Sequence, residues 1–344
     1  MEKKKEIKFP SELRMDVVNN DWVVIATGRA RKPESFKKEK RTRKEASKKE
    51  CPFCNIETQE KPTLVMVKGK KADLTKKIPK NWTTAVIPNK YPAFTKSEVL
   101  NERFEGPLYK AMNAVGFHEI VVTKDHKKQI ANLKIEEVKE IFDAYQERYL
   151  DLMNEKFVSH VSIFHNYGPG AGASIFHPHS QIITIPFLDT DLKGALLKSK
   201  KYFDDKKSCS YCEMIEWEKK INKRIVLENN DFIAICPFAS KTAFEVIISP
   251  KKHSSYFERI VEEEKSSLAD IFQKVMKKLY KGLKDPEYNF YLHTAPCDSQ
   301  NHDYYHWHWT ILPKTSIWAG FEIGTKMEIS TVEPEKAAEY LKKQ

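Results

Sequence analysis

Two sets of residues in this chain have the types and spacing that chemistry needs. The first is His177-Pro178-His179-Ser180-Gln181, preceded by the small-residue run Gly168-Pro169-Gly170-Ala171-Gly172-Ala173-Ser174. Residues two apart on a strand project from one face, so an extended segment presents His177, His179 and Gln181 together. Pro178 restricts that segment to an edge or to a strand start, which favours an exposed functional row. The glycines let backbone N–H groups approach an anion closely, and Ser174 adds a hydroxyl donor. No Gly-Lys-Ser/Thr follows, so the run is not a Walker A loop. An imidazole attacks phosphorus directly and forms a covalent nucleotidyl-histidine. A glutamine at the third position hydrogen-bonds a phosphoryl oxygen but cannot serve as a base toward water.

The second set is the cysteines. Four of the six form the pairs Cys51–Cys54 and Cys209–Cys212. Six thiols are too few for a disulfide framework in a chain of 344 residues, and such pairs in a reducing compartment are metal ligands or redox centres. Neither pair lies in a thioredoxin-like pattern. More than 150 residues separate them, whereas a zinc ribbon sets its pairs about 15–20 apart. Each pair therefore draws two further ligands from elsewhere, as Cys2His2. Cys236 and Cys297 are isolated and read as buried structural thiols.

The elements that must position these groups occur twice. CPFC (51–54), WTTAVIPNKYPAF (82–94), HEIVVTKDH (118–126), a helix and VSIFHNYGPGAGASIFHPHSQIITIP (161–186) make the first series. CSYC (209–212), DFIAICPFAS (231–240), FEVIISPKKH (244–253), a helix and YNFYLHTAPCDSQNHDYYHWHWTILP (288–313) repeat it in order. This is a duplication. The steps of three and four from Ile135 to Leu152 and from Leu268 to Leu279 predict one amphipathic helix per repeat, the second capped near Gly282. Short β-branched runs predict strands. The expected class is α+β: two tandem repeats over 1–195 and 196–344, each an antiparallel sheet with a long helix.

Composition limits the partners. The chain is 40% hydrophobic, enough for a packed core, and no stretch approaches the ~20 apolar residues of a membrane span. Its start, MEKKKEIKF, lacks the apolar region of a signal peptide, which predicts a cytoplasmic protein with no membrane partner. A net charge of +11 attracts anions, and residues 29–49 hold eleven Lys/Arg against three Glu. We read that stretch as a mobile loop between ordered elements.

The run FHNYGPGAGASIFHPHSQ (164–181) resembles the active-site signature of galactose-1-phosphate uridylyltransferases, the transferase branch of the histidine-triad superfamily. The likeness extends over nearly the whole chain, through CPFC, PNKYPAF, HPHSQ, HWH and the closing GFEIGT. It implies two histidine-triad repeats, a homodimer and a ping-pong transfer. UDP-glucose gives UMP to a histidine, and galactose 1-phosphate takes it. By motif position His179 is the nucleophile, supported by Gln181, Ser174 and Asn166. Arg29 and Lys32 match phosphate-contacting basic positions, Asn89 the nucleoside-binding turn, and Glu322 the acceptor of a hexose hydroxyl. Two positions depart from the family pattern: Ser316 stands where many members have Lys, and Lys90 where many have Asp.

Repeat logic then pairs Cys51 and Cys54 with His126 and His177, and Cys209 and Cys212 with His253 and His306. Both sets suit structural zinc. Iron-bearing members use the HxH pair with an upstream histidine, here His293, so iron is the alternative at the second centre. HPHSQ with both CxxC pairs also resembles ADP-glucose phosphorylases, which pass AMP from ADP-glucose to phosphate. A reading of another class, a zinc-bearing nucleic-acid-binding protein using residues 29–49, leaves HPHSQ unexplained, so no nucleic-acid partner is expected.

Overall fold

β-Branched runs form strands here because alternate side chains can be buried against a layer of helices. A computed structural model describes residues 11–16, 21–26, 31–38 and 47–344. Its strands are β1 (Glu12–Met15), β2 (Trp22–Ile25), β3 (Leu64–Val67), β4 (Lys70–Lys71), β5 (Thr84–Pro88), β6 (Arg103–Glu105), β7 (Tyr109–Ala111) and β8 (His118–Thr123). They continue with β9 (His160–Tyr167), β10 (His179–Ile185), β11 (Ile225–Glu228), β12 (Phe232–Ile235), β13 (Val246–Pro250), β14 (Tyr288–His293), β15 (His308–Pro313) and β16 (Ile329–Ser330). The helices are α1 (Ile135–Leu152), α2 (Thr190–Lys206), α3 (Ser210–Ile221), α4 (Glu262–Leu283), α5 (Gly320–Thr325) and α6 (Pro334–Lys342). Among the described residues no helix is long and apolar enough to cross a membrane.

The duplication becomes a single sheet. Eleven strands run in the order β11-β12-β13-β15-β14-β9-β10-β8-β5-β3-β4. Apart from the terminal β4 this order is a palindrome: β9 and β14 meet at the centre, followed outward by β10 and β15, then β8 and β13. Phe164 on β9 pairs with Tyr291 on β14, and the same offset that relates them relates His126 to His253. A local two-fold axis therefore passes between Phe164 and Tyr291.

Helices α1 and α4 cover one face of both half-sheets. Phe142 of α1 meets Phe272 of α4 edge-on at 5.3 Å, and both rings pack against Trp309 of β15. One apolar core thus spans the two repeats. The other sheet face is covered toward its two ends, by Cys51, Phe53 and Ile56 over β3, β5 and β8 and by Ile215 of α3 over β11 and β12. A cleft of about 1970 Å³ walled by Arg14, Asp21, Lys241, Glu328 and α2 opens onto the central strands.

Two local expectations change. Helix α4 runs past Gly282 and is capped by Lys284 in the left-handed conformation. Gly282 is instead a close-approach residue: an added Cβ would sit 3.2 Å from the Tyr340 ring, whose hydroxyl donates to the Gly282 carbonyl at 2.8 Å. Within the basic stretch, Pro33–Lys38 is a short 3-10 helix pinned by Phe36, which is fully buried edge-on to Phe244 at 5.3 Å. One apolar side chain fixes that turn despite its charged neighbours.

A buried ion pair ties β8 to α1. Arg148 donates to both oxygens of Glu119, at 2.8 and 2.9 Å, and neither residue reaches solvent appreciably. Removing one partner strands the other charge in the interior. We expect Arg148→Met to cost about 3–5 kcal/mol by urea denaturation, with the double change Glu119→Leu/Arg148→Met recovering most of it.

Candidate active site and metal centres

Each repeat gathers its CxxC pair and two histidines by the same route. The cysteines lie ahead of the half-sheet, one histidine follows β8 or β13, and the other immediately precedes β10 or β15. Cys51, Cys54, His126 and His177 bring their donor atoms within 4.8 Å of one another, as do Cys209, Cys212, His253 and His306. Cys54 Sγ lies 3.1 Å from His126 Nδ1, and Cys51 Sγ lies 3.5 Å from His177 Nδ1. In the second set Cys212 Sγ is 3.4 Å from His253 Nδ1 and 3.5 Å from His306 Nδ1. A tetrahedral ion with bonds of ~2.3 Å to sulfur and ~2.1 Å to nitrogen separates such atoms by about 3.6 Å. Both sets fit.

Backbone carbonyls select the ring nitrogen that faces the ion. His177 donates from Nε2 to the Thr123 carbonyl at 2.8 Å, His306 to Pro250 at 3.0 Å, and His253 to Asp303 at 2.6 Å. Each imidazole is thereby left with a free lone pair on Nδ1, directed at the thiolates.

The backbone just beyond the first centre carries His179. Strand β10 begins at this residue, so Pro178 sits at a strand start as expected, although β10 is interior and Pro178 is buried. His179 donates from Nδ1 to the His177 carbonyl at 2.8 Å, which leaves the Nε2 lone pair as the nucleophilic site. The Phe53 ring stands 4.8 Å from the His179 ring, and burial lowers the His179 pKa, favouring neutral imidazole. Ser180 points the other way, bonded to Tyr145 of α1 and to His165 at 2.9 Å. His179 and Gln181 therefore share the sheet face away from α1. By register that face also carries Phe164 and Asn166.

Gln181 Oε1 accepts from Nε2 of His118 at 2.8 Å. His118 opens β8, one step from Glu119, and also receives the Ala93 N–H on Nδ1 at 3.1 Å. The Asn89 amide nitrogen lies 3.0 Å from its Nε2. The Ala93 N–H and Gln181 are thus joined through a histidine that sequence reasoning did not single out, with the Asn89 amide packed against its ring. Asn166 accepts from the Asn289 amide at 2.7 Å across the central strand pair.

The small-residue loop is built differently from the expected anion cradle. Gly168 and Gly172 adopt positive φ, and the N–H of Gly170 donates to the Glu287 carboxylate at 3.0 Å. Ala171, Gly172 and Ala173 donate to carbonyls within the loop. A Cβ on Gly168 or Gly170 would collide with Glu287, at 2.4 and 2.2 Å. These glycines hold the loop around an internal carboxylate. Ser174 follows this turn and is exposed.

The remaining candidates lie elsewhere. Arg29 falls outside the described residues. Lys32 is exposed next to Arg31, whose N–H bonds the Thr331 carbonyl. Glu322 is half-buried on α5 and accepts from the Ala319 N–H at 3.0 Å. Among the described residues neither side chain bonds to the His179 cluster.

The second repeat mirrors the frame around His179 without its partners. His308 donates from Nδ1 to the His306 carbonyl at 3.1 Å, with the Tyr211 ring 4.8 Å away in the place of Phe53. Thr310 occupies the position of Gln181, and His293, stacked on His308 at 4.5 Å, that of Asn166. The aromatic residue inside each CxxC was the available sequence signal for this contact.

Comparison with known proteins finds two family models along the chain. Galactose-1-phosphate uridyl transferase, N-terminal domain, matches residues 2–189, and the C-terminal domain matches residues 196–343. An ADP-glucose phosphorylase of Arabidopsis thaliana is 31% identical over 336 residues, 96% of this chain and 92% of that protein. A galactose-1-phosphate uridylyltransferase of Thermotoga maritima is 28% identical over 341 residues, covering 96% and 98%. The crystal structure of an Arabidopsis ADP-glucose phosphorylase with bound ADP-glucose aligns with a TM-score of 0.78 at 27% identity, covering 97% of this chain and 99% of that one.

The two donor sets have no residue in common, so each should retain its ion separately. Purified chain should carry two metal equivalents by elemental analysis, Cys54→Ser one, and Cys54→Ser/Cys212→Ser none.

Proposed function

The chain belongs to the galactose-1-phosphate uridyl transferase family, and from that membership we propose a nucleotidyl transfer through a covalent intermediate on His179. The observation that carries the reading is the His179 tautomer: Nδ1–H is committed to the His177 carbonyl, so Nε2 is the free nucleophile. Nε2 attacks the α-phosphorus of a nucleoside-diphosphate sugar, a P–N bond forms, and the P–O bond to the sugar phosphate breaks. Imidazole gains positive charge in that step, and the His177 carbonyl stabilises it through Nδ1–H. In the second half-reaction a phosphate oxygen of the acceptor attacks the same phosphorus and expels neutral His179. Gln181, lacking a titratable proton, donates to a phosphoryl oxygen without activating water, so the intermediate persists until an acceptor phosphate arrives. Asn166 and Ser174 are further donors for that phosphoryl group, and Asn89 lies at the turn that would hold the nucleoside.

We take UDP-glucose as donor and galactose 1-phosphate as acceptor, in keeping with HPHSQ, PNKYPAF and the family. A second reading, AMP transfer from ADP-glucose to phosphate through the same atom, is favoured by the Arabidopsis relative at 31% identity. Both donor sets at the metal centres, two thiolates with two imidazoles, favour zinc; the bound ion would hold Cys51, Cys54, His126 and His177 in place. The cysteines favour zinc over iron at the second centre as well. Free thiol ligands suit a reducing compartment, the cytoplasm.

We take the chain to be a homodimer, in keeping with the family. Glu322 lies among exposed apolar residues: Ile317 is 93% exposed, Ile323 61% and Phe321 48%. A second copy covering such a patch would bury it.

Intact mass after mixing with one donor and no acceptor tests the reading. A UMP adduct from UDP-glucose, discharged by galactose 1-phosphate, is the expected result. An AMP adduct from ADP-glucose, discharged by phosphate, selects the second reading. His179→Ala should form neither adduct while keeping its full metal content; an adduct on that variant would contradict the assignment.

A further inference from the structure

We infer that His118 is a positioning residue that couples the nucleoside-side turn at 89–94 to the phosphoryl-binding Gln181. The inference rests on the transferase reading and extends it to a residue with no assigned role. The Ala93 N–H can only donate, so the His118 nitrogen it meets at 3.1 Å, Nδ1, carries the lone pair. A neutral imidazole has one proton, which must then sit on Nε2. That nitrogen faces the Gln181 side chain at 2.8 Å, so Gln181 presents its carbonyl oxygen there. With Oε1 committed, both N–H groups of the Gln181 amide remain for a phosphoryl oxygen. One imidazole therefore decides which end of a symmetric-looking amide faces the chemistry.

The same ring organises the turn. Asn89 donates its backbone N–H to the His118 carbonyl at 2.8 Å. The Asn89 side-chain oxygen accepts from the Tyr91 N–H at 3.0 Å, so its amide nitrogen only packs against the ring, as a donor beside the Nε2–H. The bond that ties ring to turn is the Ala93 N–H to Nδ1. Register explains the reach: Gln181 pairs with Ile120, so His118 is its same-face diagonal neighbour. Beneath them, Glu119 anchors β8 to α1 through Arg148. A donor molecule that orders residues 89–94 thus holds the ring that orients Gln181.

Two substitutions separate the two bonds. Asparagine places its side-chain oxygen near the position of Nδ1, keeping an acceptor for Ala93 but no donor for Gln181. Glutamine places its amide nitrogen near the position of Nε2, keeping the donor but not the acceptor. The full chain and both variants are mixed with UDP-glucose, and separately with ADP-glucose, and the rate of adduct formation is followed by quenched intact mass over donor concentration. His118→Asn should lose about 10²-fold in the saturating rate, the scale of an oxyanion-binding donor, with half-saturation near that of the wild type. His118→Gln should keep the rate within about tenfold and raise half-saturation by roughly tenfold, the scale of one hydrogen bond. A saturating rate for His118→Asn equal to the wild type overturns the inference. Equal losses of rate and affinity in both variants mark a merely structural histidine and also overturn it. If wild-type chain forms no adduct with either donor, the transferase reading itself falls, and this inference with it.

Discussion

Every contact of one residue, His177, constrains the site. Its Nε2–H is tied to the Thr123 carbonyl, its Nδ1 faces Cys51 and Cys54, and its own carbonyl takes the Nδ1–H of His179. A metal-type centre and the proposed nucleophile are therefore set by a single peptide segment three residues long. Shift the ring of His177 and its carbonyl moves too, and His179 loses the bond that holds Nε2 free. Pro178 reinforces this by removing one backbone donor and fixing φ between the two histidines. Burial disfavours the charged form of both rings, lowering the His179 pKa and holding that of His177 down at about 4.

The duplication provides that constraint with a scaffold. The two half-sheets are joined edge to edge at β9 and β14, and α1 and α4 share a single aromatic core beneath them. Edge-to-edge joining makes the face away from α1 and α4 continuous, so groups from both halves meet at the central strand pair, as Asn166 and Asn289 do at 2.7 Å. The same symmetry exposes how the halves diverged. His308 keeps the nucleophile's backbone bond, yet it faces Thr310 and His293 where His179 has Gln181 and Asn166. No glycine-rich turn precedes it. The second half has kept the frame and lost the amide side chains beside it.

Much of this was legible in the sequence because it is written in local spacing and in repetition. The CxxC pairs, the histidines after β8 and β13, and HPH against HWH are all recovered by matching one half to the other. What escaped depends on strand register and on side chains meeting across the sheet. His118 reads as the first residue of an ordinary strand until β8 is paired with β10 in the register Gln181 to Ile120. Glu287 sits far from the glycine loop in sequence, and only the fold reveals that it fills the space those glycines leave. Gly282 looked like a helix stop because glycine usually ends helices; here it makes room for Tyr340. Phe36 is one apolar residue in a basic run, too little signal to foresee its burial.

The central claim is a tautomer: His179 carries its proton on Nδ1 and presents Nε2 as a free nucleophile. Nitrogen-15 spectra of the metal-loaded chain with labelled histidine, assigned through His179→Ala, test it most directly. The account predicts a neutral ring for His179 at pH 7, with a protonated Nδ1 and a bare Nε2. A proton on Nε2, or a charged ring at that pH, would contradict it.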